Sequence, residues 1–197
     1  MTDTDWEPWP RRALRVRVDQ YAVCELIHTS SWFRDVSVQW TAPEGIWTAA
    51  DTVRYEIDLG ADGRQGRVYR LRSPRVYEAT GATGVVSFDN PGTSTSEWTA
   101  RLHGPCTGPR LTCDDTGDAV VFDSSFRLAA GEFVELDSAH ATVYAQGNAS
   151  LSRLHRLDFA SSSWWKIRPG TNTIRFNPTS GVDTGARASI EFRPSWI

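Results

Sequence analysis

The sequence predicts an all-β protein built as a sandwich or barrel, and three observations support this fold class. Apolar and polar residues alternate with a period of two in many short runs, most clearly between Val53 and Leu59. Gly, Pro, Asp and Asn separate these runs at the 8–12-residue spacing typical of sandwiches and barrels. Aromatic residues make up 11% of the chain, with 9 Trp against 1 Met, and aromatic side chains suit pleated, half-buried surfaces.

The individual elements follow from the same pattern, taken in order along the chain. The predicted strands are 15–18, 23–27, 35–40, 53–59, 67–71, 75–79, 85–88, 98–102, 119–122, 133–136, 141–145, 164–167, 173–176 and 186–192. Turns are predicted at Asp62-Gly63, at 90–92, at 115–118, at Gly131 and at Pro169-Gly170. Leucines recur every three residues in 148–157, which predicts one or two turns of α- or 3₁₀-helix on the rim.

A change in organisation is predicted at the stretch TAPEG, residues 41–45. We assign residues 1–49 to an N-terminal β arm and residues 50–197 to the sandwich. The arm is too short to bury a core of its own, so we expect it to pack on the sandwich or on a partner chain.

Charge and cysteine content narrow the functional classes. The net charge of −3 gives no electrostatic reason to bind nucleic acid or an acidic membrane, and Lys166 is the one lysine among many arginines. Residues 1–10 do not resemble a signal peptide, and no apolar run approaches the ~20 residues of a membrane span. The odd number of cysteines predicts reduced thiols in a protein made in the cytoplasm.

Two groups of residues resemble metal sites only superficially. His103, Cys106 and Cys113 would need a fourth zinc ligand such as Cys24, and their spacing matches no standard zinc motif; we interpret the cysteines as small core residues. The aspartates within 114–118 lack the longer ligand ladder of a calcium loop and are better explained by a hairpin turn. We expect no metal and no cofactor.

Catalytic motifs are also missing from the sequence. There is no G-x-S-x-G elbow, and residues 81–84 lack the Lys-Ser/Thr of a phosphate-binding loop. Cys24 and His28 have only a suitable spacing, and no carboxylate pair stands out. The prediction is that the protein is not an enzyme.

Trp164 and Trp165 are the candidate binding residues. Neighbours on a strand point to opposite faces, so one indole is expected in the core and the other at the surface. An exposed Trp is typical of a sugar-binding platform or a protein interface, whereas a core Trp beside a rim Trp would be purely structural.

Several stretches, in this order and spacing, resemble the siphovirus-type phage tail component family, which comprises distal tail (Dit) and minor tail proteins. The stretches are VSVQWTAP at 36–43, NPG at 90–92, HGP at 103–105, PRL at 109–111, AGE at 130–132, VELD at 134–137, WKIRPGTNTIRF at 165–176 and ASIEFRPSWI at 188–197. The resemblance covers residues 36–197. From this resemblance we expect the family's N-terminal ring-forming domain to be reduced, in this chain, to residues 1–34.

The resemblance implies a galectin-like, carbohydrate-module-like antiparallel β-sandwich without catalysis. It further implies a structural protein of the virion tail tip, made in the host cytoplasm, at the junction of tail tube and tip. The expected partners are other tail proteins (tube, hub and tip) and further copies of the chain, as a trimer or hexamer. The alternatives are a tail-tip carbohydrate-binding module that contacts a host glycan, an appended tail-tip subunit, half of a split gene, and a degraded glycosidase or peptidase.

Overall fold

The computed structural model describes residues 12–24, 35–59, 76–78, 84–180 and 185–197. Its strands are β1 Arg12–Leu14, β2 Arg17–Cys24, β3 Asp35–Thr41, β4 Trp47–Ala49, β5 Val53–Asp58, β6 Val76–Glu78, β7 Val85–Asn90, β8 Trp98–His103, β9 Cys106–Thr107, β10 Arg110–Cys113, β11 Ala119–Val121, β12 Arg127–Leu128, β13 Phe133–Asp137, β14 Thr142–Ala145, β15 Gly170–Phe176, β16 Arg187–Phe192 and β17 Ser195–Trp196. A 3₁₀ helix spans Leu154–Arg156. In this described part of the chain, no helix is long and apolar enough to cross a membrane.

Two main sheets form the sandwich. One is six-stranded in the order β14-β13-β8-β16-β5-β6, and the other is four-stranded in the order β11-β10-β15-β7. The predicted all-β antiparallel architecture is confirmed, with one correction among the described strands: β6 pairs with β5 in parallel. Parallel neighbours need a crossover connection rather than a tight turn. The hairpin predicted at Asp62-Gly63 and the strand predicted at 67–71 lie outside the described residues.

The core lies between the two sheets, and the alternation read from the sequence produces it. On β5, Tyr55 and Ile57 are buried while Asp58 is exposed. The Tyr55 ring stacks on Phe88 of the opposite sheet at 4.3 Å, and Phe88 stacks on Phe192 at 5.2 Å. Full burial of each such side chain contributes roughly 1.5–3 kcal/mol, so these inward rows hold the sheets together.

Two of the predicted turns contain a glycine with positive φ in the described residues. Gly117 (φ +78°) lies in the turn from β10 to β11, and Gly131 (φ +82°) lies between β12 and β13. At both positions the left-handed backbone favours glycine. The predicted helical turn within 148–157 is the 3₁₀ helix on the rim.

One predicted strand is wrong. Residues 164–167 contain no strand, and only Ile167 forms an isolated bridge, to Ser96. Trp165 and Ile167 are nevertheless buried and alternate with the exposed Lys166. The segment alternates like a strand because its side chains at 165 and 167 pack into the core while Lys166 points to solvent. It is not a strand, because it forms no continuous backbone pairing with a neighbour.

The chain before residue 50 forms two smaller sheets. β2 and β3 pair as a two-stranded antiparallel ribbon. β1 and β4 join β17, near the end of the chain, in a three-stranded sheet of order β1-β4-β17, hereafter the junction sheet. The assigned arm is therefore attached to the sandwich by backbone pairing with the final strand.

Candidate assembly interface

The ribbon formed by β2 and β3 has one apolar face. Val18 lies opposite Trp40, and Tyr21 lies opposite Val38. Val38 and Trp40 are two residues apart and share a face of β3, so all four side chains lie on the same side. We call Val18, Tyr21, Val38 and Trp40 the apolar ribbon face; Gln20 and Gln39 pair on the other side.

A β-bulge at Asp19 makes this alignment possible. Val18 and Tyr21 are three residues apart and would point to opposite faces in a regular strand. The register shifts between Val18 and Gln20, and the extra residue brings Tyr21 back to the side of Val18. The Asp19 carboxylate accepts hydrogen bonds from Arg17 Nε (3.0 Å) and from the Thr41 hydroxyl, which holds the bulge in place.

The apolar ribbon face is open to solvent in the single chain. The exposed fractions are 58% for Val18, 65% for Tyr21, 43% for Val38 and 63% for Trp40. The large apolar side chains exposed in the described residues are Val16, Val18, Tyr21, Val38, Trp40, Trp47, Leu151, Phe159 and Ile197. Most of them therefore lie before residue 50. Clustered exposed apolar side chains mark interaction sites, and a two-stranded ribbon is marginally stable alone in water.

The junction sheet carries two further aromatic side chains, Trp47 and Trp196. Trp47 of β4 lies between Leu14 of β1 and Trp196 of β17 in register. The Arg12 guanidinium stacks over the Trp196 ring at 4.2 Å, a cation–π contact. Trp47 is exposed and Trp196 partly so.

Trp164 and Trp165 surround the central Trp98. Trp165 is 5% exposed and its ring lies 4.6 Å from that of Trp98, whereas Trp164 is partly buried at 5.9 Å. The Trp98 indole N–H donates to the Trp165 carbonyl at 2.9 Å, and the Trp165 indole N–H has no hydrogen-bond partner. Only Trp164 retains surface with which to contact a partner or a glycan, and that role stays a prediction.

Residues 91–196 match the model of the siphovirus-type tail component family, C-terminal domain. The chain belongs to this family. The match runs from the residue after β7 to the end of β17 and thus covers much of the sandwich of this tail component. The apolar ribbon face precedes the matched region.

Two solved phage structures match this tail component, one of a single protein and one of a baseplate. The crystal structure of SPP1 Dit, titled a paradigm of the hub adsorption apparatus in phages that infect Gram-positive bacteria, superposes with a TM-score of 0.61 at 10% identity, over 97% of this chain and 63% of that one. The activated phage P2 baseplate with Ca gives 0.38 at 12% identity, over 88% and 62%. The chain spans less than two thirds of either relative. The SPP1 match confirms the galectin-like fold, and no curated protein sequence gives a match.

The outer face of the six-stranded sheet carries ion pairs between strands. Arg54 contacts Glu191 on the neighbouring strand at 3.1 Å and Glu56 at 2.5 Å, and Arg101 contacts Glu135 at 2.8 Å. Burial raises the pKa of Glu56 above its ordinary value, against the opposing effect of Arg54. These charges neutralise one another across the strands, so the face stabilises the sheet of the tail component.

His103 lies at the end of this charged face. Burial lowers the pKa of its imidazole, and the nearby guanidinium of Arg187 lowers it further. The ring also packs against Phe133 at 5.2 Å. A neutral imidazole is therefore favoured in the folded tail component.

A cleft of about 880 Å³ separates the arm from one end of the sandwich. Two side-chain pairs lie within it: Lys166 contacts Glu97 at 2.5 Å, and His140 contacts Asp137 at 2.7 Å. The single lysine thus has a structural partner. The cleft combines paired charges and hydroxyls, and the geometry assigns it no ligand.

The cysteines predicted to be core residues are buried. Cys106 and Cys113 are free thiols in the core, and burial raises the pKa of Cys106 to about 11. At neutral pH that thiol is protonated and is a poor ligand or nucleophile. Among the described residues no group of three or more His, Cys, Asp and Glu side chains could hold a metal ion. The side chain of Cys24 lies outside the described residues.

The aspartates of 114–118 act in the hairpin turn. Asp114 binds Arg175 at 2.6 Å, Asp115 accepts the Thr173 backbone N–H at 2.5 Å and Asp118 accepts the Ser163 hydroxyl at 2.8 Å. Each carboxylate therefore has a protein donor, and the three contacts join the turn to β15 and to Ser163.

The main surface feature that the sequence pattern did not predict is the apolar ribbon face, which β2 and β3 form together. The alternation of Val36, Val38 and Trp40 is visible in the sequence, and it predicts β3. Val18 and Tyr21 appear out of phase with each other because the bulge at Asp19 resets the phase. A sequence signal for the bulge would have been an odd spacing between apolar residues in an otherwise regular run.

Proposed function

We propose that this tail component is a non-catalytic structural protein at the junction of tail tube and tip, and that it assembles through its apolar ribbon face. The observation that carries the proposal is the set of four large apolar side chains on one face of the ribbon, each between 43% and 65% exposed. Burying what remains exposed of each would contribute about 1 kcal/mol. The occupant we propose is another copy of the chain, in a closed trimer or hexamer.

Symmetry and family membership support a second copy as the occupant. Most soluble oligomers are homo-oligomers with closed symmetry, and the matched family consists of tail components. SPP1 Dit, which is described as a paradigm of the hub adsorption apparatus, shares the fold. Tail tube, hub and tip proteins are the further partners that we propose, in the virion tail tip after synthesis in the host cytoplasm.

The test is the solution mass of the chain by size-exclusion chromatography with light scattering. We expect a trimer or hexamer for the wild type and a monomer for the double variant Tyr21→Ser/Trp40→Ser. The matched control is Gln20→Ser/Gln39→Ser on the opposite face of the same ribbon, which should keep the oligomer. A wild type that stays monomeric at high concentration would remove this proposal.

A monomeric wild type would give weight to the alternative of a glycan-binding module that uses Trp164. That alternative predicts loss of binding to host-surface polysaccharide on Trp164→Ala, measured by calorimetry. The surrounding geometry favours assembly more strongly, because Trp165 is buried and the outer sheet face pairs its own charges.

A further inference from the structure

Strand β17 lies between the sandwich and the junction sheet. On one side Ser195 and Trp196 pair with Thr48 and Trp47 of β4, and the Ala49 N–H donates to the Pro194 carbonyl at 2.8 Å. Ser195 and Trp196, which follow β16 of the sandwich, thus form the third strand of a sheet that otherwise belongs to the arm.

The opposite side of β17 is fixed to the sandwich. The Ser94 N–H donates to the Ser195 carbonyl at 2.9 Å, and the Ser195 hydroxyl lies 2.8 Å from that of Ser96. Ser195 is buried. A Cβ on Gly92 would lie 2.3 Å from the Ser195 carbonyl oxygen, so glycine at position 92 is required for β17 to approach this closely.

The ribbon is continuous with the junction sheet at one of its ends, through both of its strands. β1 leads through Arg15 and Val16 into β2, and β3 leads through residues 42–46 into β4. The direction of the ribbon is therefore set by how β1 and β4 are held. Without β17 these two strands would be a two-stranded pair, which is marginal in water.

We propose that Ser195 and Trp196 form a C-terminal clasp that positions the arm and thereby presents the apolar ribbon face for assembly. Trp196 acts on β4 through strand pairing and on β1 through the Arg12 guanidinium stacked 4.2 Å above its ring. Ser195 holds the same strand to the sandwich. The role in assembly rests on the proposed function, whereas the positioning of the arm does not.

The experiment compares four variants of the full chain: Trp196→Ser, Trp196→Phe, Gly92→Ala and Ile197→Ser. Gly92→Ala displaces β17 from the sandwich side without altering Trp196. Phe keeps an aromatic ring beneath Arg12 and should rescue the Ser variant. Ile197→Ser changes an exposed side chain next to the clasp and is the matched control.

Three readouts separate positioning from general stability: amide hydrogen exchange in 12–14 and 47–49, thermal unfolding of the sandwich, and the oligomer dissociation constant. For Trp196→Ser and Gly92→Ala we expect exchange in both segments to be at least about tenfold faster and association at least about tenfold weaker. The melting temperature of the sandwich should change little. Trp196→Phe and Ile197→Ser should behave like the wild type.

Unchanged exchange in 12–14 and 47–49 for both Trp196→Ser and Gly92→Ala would overturn the clasp. Weaker association of Trp196→Ser without faster exchange would also overturn it, since Trp196 would then be a direct contact. Faster exchange in a chain whose wild type is monomeric would support the clasp and remove only the assembly proposal.

Discussion

The indole N–H of Trp98 donates a 2.9 Å hydrogen bond to the backbone carbonyl of Trp165. The two rings lie 4.6 Å apart in the core, yet their indole nitrogens differ in hydrogen bonding. Trp98 has its partner, while the buried Trp165 Nε1 has none. The pair links β8 to the irregular segment 164–167, whose buried side chains fill part of the core.

This asymmetry predicts unequal costs for the same substitution. Trp98→Phe loses the hydrogen bond, leaves the Trp165 carbonyl unpaired and opens a cavity, so we expect a loss of about 2–4 kcal/mol in the free energy of unfolding. Trp165→Phe removes a donor that has no partner, and only lost packing remains, about 1–2 kcal/mol. Chemical denaturation of both variants checks the order, and an equal or larger cost for Trp165→Phe would contradict it.

The bulge predicts that deleting Asp19 preserves both the apolar ribbon face and the folded sandwich. The deletion would leave Val18 and Tyr21 two residues apart in a regular strand, where they share a face opposite Trp40 and Val38, so the oligomer should persist. Asp19→Asn is the control, since it keeps the chain length and an acceptor for Thr41. Light scattering gives the oligomer mass and circular dichroism gives the melting temperature. Loss of the oligomer on deletion would contradict the assignment of Asp19 as the extra residue of the bulge.

The residues that sequence reasoning predicted well are those governed by local pattern. The inward Tyr55 and Ile57 follow from a period of two, and Gly131 follows from the need for a left-handed turn. The segment 164–167 has the same local pattern, but whether it pairs depends on neighbours elsewhere in the chain. Local pattern alone therefore could not distinguish a paired strand from an unpaired segment with alternately buried side chains.

The remaining features depend on contacts between residues distant in sequence. The pairing of Trp47 with Trp196 and the close approach of Gly92 to Ser195 join segments that are far apart in the sequence. The parallel placement of β6 beside β5 is another such contact. The family resemblance predicted the sandwich but not the clasp. Short motifs identify residues that recur in a family, but they do not indicate which strands pair with each other.

His103 predicts a specific loss of stability on acidification. Its folded-state pKa lies below the ordinary value of 6.5 because of burial and nearby arginines, so the unfolded chain binds the proton more readily. Stability from this group is complete above about pH 6.5 and is lost as the pH falls from there toward the lowered pKa. His103→Gln should be less stable at pH 7.5 through lost packing, yet show a flatter melting temperature between pH 7 and 5. Parallel pH profiles for the variant and the wild type would show that His103 is not the titrating group.

We expect the loss of the Ser162 hydroxyl to weaken one edge of the four-stranded sheet. Its hydroxyl accepts the Val121 N–H at 3.0 Å and donates to the Val121 carbonyl at 3.1 Å, so one side chain occupies both backbone groups at the edge strand β11. Ser162→Ala should cost about 1–2 kcal/mol of unfolding free energy, and the freed edge should increase aggregation on heating.

The matched control for this edge is Ser161→Ala, one residue earlier in the same segment. Ser161 is exposed, and its backbone N–H, which the substitution keeps, bonds the Asp158 carbonyl at 3.2 Å. Its variant should therefore unfold and aggregate like the wild type. Denaturant unfolding and light scattering during a thermal ramp measure the two effects. Equal behaviour of the two alanine variants would mean that the Ser162 hydroxyl does not protect β11, and that the backbone bond from Asp158 to Val121 at 2.9 Å is sufficient to close the edge.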